Sequence, residues 1–144
     1  MLEKPKFGSG GFTLIELIIV VLVVGIMAIV GIPRMGDIME TSKVAATKEE
    51  MRRLKIALVG SAKSGVRGYE NDVGSLPSNL TDLVTKPAGV SDWNRFTKTG
   101  WNGPYIEDND GDYLKDSWDV NYIYSAVSRT IKSVGSGDTI TINF

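Results

Sequence analysis

Residues 12–33 read Phe-Thr-Leu-Ile-Glu-Leu-Ile-Ile-Val-Val-Leu-Val-Val-Gly-Ile-Met-Ala-Ile-Val-Gly-Ile-Pro, and this stretch decides the fold. From Phe12 to Ile32 it carries one charge, Glu16. At roughly 1.5 Å per residue, a helix over Phe12–Ile32 reaches about 31 Å, which matches a hydrocarbon core of about 30 Å. Lipid gives backbone polar groups no partners, so a segment of this composition is expected to be helical. A secretory signal peptide is the other reading. Such peptides are cut after the apolar stretch, at a small-residue site. Here the small residues, Gly8-Ser9-Gly10-Gly11, come before it instead.

Beyond the apolar run the helical pattern resumes. Val44, Met51 and Leu58 recur every seven residues, with Leu54 between them and Ala45, Ala57 and Ala62 nearby. Lys43, Lys48, Glu49, Arg52, Arg53, Lys55 and Lys63 occupy the other faces. One helix from about residue 12 to 66 is expected. Gly25, Gly31, Pro33 and Gly36 form a weak joint within it, because glycine costs about 1 and proline about 3 kcal/mol in a helix interior.

The rest of the chain reads as a small head. Tyr69 to Leu76 connects, and Pro77 to Val84 forms a short helix capped by Ser78 or Asn79 and stopped by Pro87. Asn79-Leu80-Thr81 also matches a glycosylation sequon, but the local helix signals favour the cap. Residues 88–104 form a loop. Asn121–Ala126, Arg129–Val134 and Thr139–Phe144 alternate as strands, with turns at Val127-Ser128 and Gly135–Asp138. The expected class is α+β: a long N-terminal helix with a three-stranded antiparallel sheet laid on its second half.

Charge is segregated. Residues 34–68 balance to +4 and residues 69–144 to −5, within a chain of net charge −1. The basic residues share a helix with acidic neighbours, so no nucleic-acid partner is expected. The chain has no cysteine and no histidine, which excludes disulfides, thiol nucleophiles and His-based triads. A carboxylate or Ser-Lys enzyme is the distant alternative, and no motif supports it.

Gly11-Phe12-Thr13-Leu14-Ile15-Glu16 followed by an apolar run resembles the processing site of type IV prepilins and type II secretion pseudopilins. The resemblance implies cleavage between Gly11 and Phe12 by a prepilin peptidase, followed by N-methylation of Phe12. It implies four segments: a leader (1–11), a transmembrane and assembly helix (12–33), an amphipathic second half of the helix (34–68) and a periplasmic head (69–144). Lys4 and Lys6 against Glu3 keep the leader cytoplasmic by the positive-inside rule. An ionisable group inside a spanning helix usually has a partner, although near a helix end it can also snorkel to the headgroups. The resemblance assigns Glu16 to the amine of an adjoining subunit. It also places Pro33 with Glu16 among the assembly residues.

Head details resemble the major pseudopilins: Leu76-Pro77, Lys86-Pro87, Trp101, Gly103-Pro104-Tyr105, and Asp116-Ser117-Trp118-Asp119-Val120-Asn121-Tyr122. The last keeps Asp116, Trp118 and Tyr122 of that group's usual D-P-W-G-N-P-Y and departs from it at the other four positions. Membership implies a homopolymeric filament rooted in the inner membrane, working with minor pseudopilins and an inner-membrane assembly platform. A type IV pilin of a surface fibre is the close alternative.

Six carboxylates fall within residues 107–119, opposed only by Lys115. Such a run suits a hard cation with oxygen ligands. It suits a solvated acidic loop equally well, and the EF-hand register is absent. Major pseudopilins bind calcium, so the resemblance implies Ca²⁺ at Asp108, Asp110, Asp112, Asp116 and Asp138. The acidic tail that usually completes that site is missing here.

Overall fold

The computed structural model describes residues 11–144, including every side chain except those of residues 30–35. Residues 1–10, most of the expected leader, lie outside it. The chain divides into two compact units at Met39/Glu40.

Helix α1 runs Leu14–Val59. In the first unit its described apolar side chains, Leu14 to Ile29, are exposed on every face, from Leu14 at 81% to Val23 at 47%. A surface of this kind exceeds what a soluble monomer exposes without a partner. Among the described residues, no helix is long and apolar enough to cross a membrane. The described apolar side chains span residues 14–29, about 24 Å of helix. The membrane-spanning part of the expected fold therefore rests on sequence.

In the second unit α1 buries one stripe: Thr47, Met51, Leu54, Ala57 and Leu58. The spacing of three to four residues puts these side chains on one face. Met51, Leu54, Ala57 and Leu58 join Tyr69, Leu80, Leu83, Tyr113, Tyr122 and Ile131 in a single core. Ala45 and Ala62, expected beside that stripe, are exposed.

The helix stops at Val59, short of the expected residue 66. Gly60 takes a left-handed conformation, φ 77°, and its N–H donates to the Ile56 carbonyl at 2.7 Å. Such a turn favours glycine and ends helices. Two further contacts fix the stop. The Asn71 side chain donates to the Val59 carbonyl at 2.9 Å. Gly68 packs so closely that a Cβ there would lie 2.2 Å from the Gly60 nitrogen.

Tyr69–Val73, expected as connecting chain, is a one-turn helix, α2. The expected short helix after Pro77 is a 3-10 turn, Leu80–Leu83, whose Asp82 carboxylate accepts from the Ser78 and Asn79 amides. The three strands are present and shorter: β1 Ile123–Ser125, β2 Thr130–Ser133 and β3 Ile140–Asn143. They form one antiparallel sheet in the order β1-β2-β3, with Ile131 opposite Tyr124 and Ile142. Ile131 is fully buried against the helix stripe. Lys55 adds a link from α1 by donating to the Asn143 carbonyl at 2.8 Å.

Candidate functional site

The first site lies where α1 begins. Gly11 and Phe12 precede the helix, and Phe12 is 81% exposed. A Cβ at Gly11 would meet nothing within 4 Å. The peptide between them is thus open to an approaching protein. Thr13 and Glu16 form a reciprocal capping pair. The Thr13 amide donates to Glu16 Oε2 at 3.4 Å, and the Glu16 amide donates to Thr13 Oγ1 at 3.3 Å. This arrangement satisfies two amides that a helix start otherwise leaves without partners. It also turns the Glu16 carboxylate back toward the start of the helix, onto the Thr13 amide. The pattern Thr-x-x-Glu was legible in the sequence as a cap, and the sequence reading passed over it. Pro33 falls within α1, and its side chain is outside the described set.

The acidic region is split among separate tasks. Asp108 Oδ1 accepts from the Gly111 amide at 2.7 Å, closing a turn in which Asp110 and Gly111 both have positive φ. Asp112 opens a 3-10 turn, Asp112–Leu114. Asp138 contributes its backbone carbonyl, which accepts from the Ser136 hydroxyl at 2.6 Å. Asp116 differs from all of these, because it is buried. Its Oδ1 accepts from the amides of Trp118 and Val120, both at 3.0 Å. Its Oδ2 accepts from the Ser133 hydroxyl at 2.6 Å and the Gly135 amide at 3.1 Å. A carboxylate has about four acceptor sites, and all four are taken. Burial alone would raise its pKa; the Ser133 hydroxyl and the three amides outweigh that and hold it below the ordinary value. Among the described residues, no three acidic side chains form a group able to hold a metal.

Asp116 instead ties the end of β2 to the segment 116–120. That segment is fastened to α1. The Thr47 hydroxyl donates to Ser117 Oγ at 3.0 Å, and Trp118 Nε1 donates to Glu40 at 3.0 Å. Glu50 accepts from the Tyr122 hydroxyl at 3.4 Å. Burial raises the Glu50 pKa, the Tyr122 hydroxyl opposes this, and Asp112 adds to it.

Two further ionic anchors escaped the sequence reading. Arg129 forks onto Glu70 at 2.8 and 2.9 Å and also donates to the Phe144 carbonyl. Buried Asp72 is bonded by Arg67 and by the Tyr105 hydroxyl at 3.2 Å. Burial, first of several causes, pushes the Tyr105 hydroxyl up to about 12. Glu70 and Arg129 lie 59 residues apart, so no local pattern marks that pair, whereas Arg67 and Asp72 are only five residues apart.

These features define a class: a subunit with an exposed apolar N-terminal helix and a small α+β head. Residues 6–32 match the prokaryotic N-terminal methylation motif. Residues 34–139 match the family Type II secretion system (T2SS), protein G, and the chain belongs to that family. It is a family of structural pseudopilin subunits, not of enzymes. Type II secretion system core protein G of Xanthomonas campestris is 31% identical over 117 residues, covering 81% of this chain and 68% of the relative. Its counterpart in Pseudomonas aeruginosa is 30% identical over 109 residues, covering 67% and 71%. Type IV major fimbrial protein FimA of Dichelobacter nodosus is 33% identical over 82 residues, covering 57% of this chain and 51% of that protein. The secretion relatives thus span more of this chain than the fimbrial one. No solved structure matches.

Proposed function

We propose that this chain is the major pseudopilin of a type II secretion system, cleaved between Gly11 and Phe12, methylated on Phe12, and polymerised through its N-terminal helix. The observation that carries the reading is the helix surface from Leu14 to Ile29, apolar and exposed on every side. Such a surface needs lipid before assembly and neighbouring helices after it. The sequence Phe12–Ile32 is long enough to cross the inner membrane, with the leader cytoplasmic and the head periplasmic. Glu16 then neutralises the Phe12 amine of an adjoining subunit. Prepilin peptidase, minor pseudopilins and an inner-membrane assembly platform are the partners this role requires.

Calcium is a separate proposal, supported by the sequence of the Asp108–Asp112 loop rather than by its present arrangement. A rise in melting temperature of the detergent-solubilised chain at millimolar calcium would support it. Unchanged melting and a flat titration would remove it.

Mass spectrometry of membrane-extracted protein tests the proposed function. A chain beginning at methylated Phe12 is expected. A mature N-terminus beyond Pro33 would mean an ordinary signal peptide and would overturn it.

A further inference from the structure

The loop from Trp93 to Gly100 presents an aromatic tip to solvent. Phe96 is 86% exposed, and the Arg95 guanidinium lies 5.4 Å from its ring centre. A single exposed apolar residue is ordinary. This one is held rigidly. Asn94 Oδ1 accepts from the Phe96 and Thr97 amides, and Asn94 pairs with Thr99 across the loop. Its base is anchored as well: the Gly100 amide donates to the Asp72 carbonyl, and Arg67 donates to the Lys98 carbonyl. A tip so fixed, and so exposed, does not fold back onto its own head.

The same head contains an open cleft of about 520 Å³. Ile56 and Val66 line it, and they remain 37% and 49% exposed. Glu50, Glu107 and Asp112 also line it, against Arg53 and Arg67. The Arg67 charge is already paired with buried Asp72. That leaves three carboxylates facing one free cation among the lining residues. The tip offers the complement, with Phe96 for the apolar wall and Arg95 and Lys98 for the carboxylates. It is a basic loop on a head segment of net charge −5.

We propose that the Phe96 loop of one subunit docks into this cleft on a second copy of the chain. The tip and the cleft are different surfaces of one head, so the contact is head-to-tail. It leaves a free tip and a free cleft at opposite ends of every pair. Contacts of that type propagate as open helical assemblies. The proposal rests on the filament reading and adds to it a specific contact between heads.

The absence of native cysteine makes a clean test possible. Full-length chain carrying Phe96→Cys and Ile56→Cys is expressed with its assembly machinery and mildly oxidised. A ladder of disulfide-linked species is expected, since seated residues would come within the Cα separation of about 4.4–6.8 Å that a disulfide needs. Neither single variant should cross-link. Phe96→Asp should lose most filaments while leaving the melting temperature of the chain unchanged, because the side chain is exposed. Filaments of normal yield without the ladder would overturn the docking contact and leave the filament reading intact. Dimers from Phe96→Cys alone would mean a tip-to-tip contact and would also overturn it. Normal filaments from Phe96→Asp together with weaker membrane retention would identify lipid as the partner, again overturning it. A parent chain that forms no filament would remove both readings.

Discussion

In the free chain Glu16 caps its own helix, and in a filament the same carboxylate would meet a cation. The two roles predict different variants. Thr13→Ala breaks the capping pair but keeps the charge, at about 1 kcal/mol of helix-start stability. It should polymerise nearly as the parent does. Glu16→Ala should insert and be cleaved normally yet yield few or no filaments, because stripping one partner from a buried pair costs roughly 3–5 kcal/mol. Glu16→Asp should fall between. Electron microscopy of sheared fractions reads all three, and Glu16→Ala filaments at parental yield would reduce Glu16 to a cap or a snorkelling anchor. Asp116 makes a second prediction. Its depressed pKa means that its stabilisation is present above the unfolded value of 3.8 and is lost as pH falls below that through the folded value. Glu70, lowered chiefly by its bonds to Arg129, acts in the same direction. Glu50, raised by burial, acts oppositely and stabilises most below 4.5. Asp116→Asn should therefore lower stability by about 1–3 kcal/mol at pH 7 and flatten the acid limb of the melting curve. An unchanged acid limb would show that the four donors are not what holds the carboxylate. Gly135→Ala should mimic this loss, since a Cβ there would lie 2.6 Å from Asp116 Oδ2. Asp116 was legible as an acid but not as a buried link. Its donors Ser133 and Gly135 reach it only once β2 has folded beside it.

At the level of elements, α1 holds two unlike halves. The segment that meets the head is fixed by a buried stripe from Thr47 to Leu58 and by Trp118 on Glu40. Residues 25–36 contain Gly25, Gly31, Pro33 and Gly36, within the helix that runs Leu14–Val59. Filament packing is therefore expected to interrupt the helix over 25–36 and to leave it intact from Glu40 onward. A filament map with an unbroken hydrogen-bonded helix across 25–36 would contradict that. The long helix and the three strands could be read in advance because each is written in local periodicity: sevenfold recurrence in one case, alternation in the other. The end of α1, at Val59-Gly60-Ser61-Ala62, was missed. Gly60 was a local signal for the stop that the reading passed over, and Asn71 on the Val59 carbonyl and Gly68 against Gly60, supplied by chain that folds back, fix it there. The helix Tyr69–Val73 was missed for a different reason. Five residues are too few for periodicity to show, and buried Tyr69 and Asp72 hold them in place.

For the molecule as a whole, an apolar, exposed helix and a compact head with an acidic balance belong to a subunit that is finished by its neighbours. The processing motif and the bare helix surface share residues 6–32, the family match covers residues 34–139, and all three agree on this. Filament composition tests the account most directly. Cells making this chain with its secretion machinery are sheared, and the fibres are imaged and their protein sequenced from the N-terminus. Fibres built chiefly of this chain, each copy beginning at methylated Phe12, are the predicted result. A chain recovered only as membrane-bound monomer, with no fibre containing it when the machinery is present, would contradict the account.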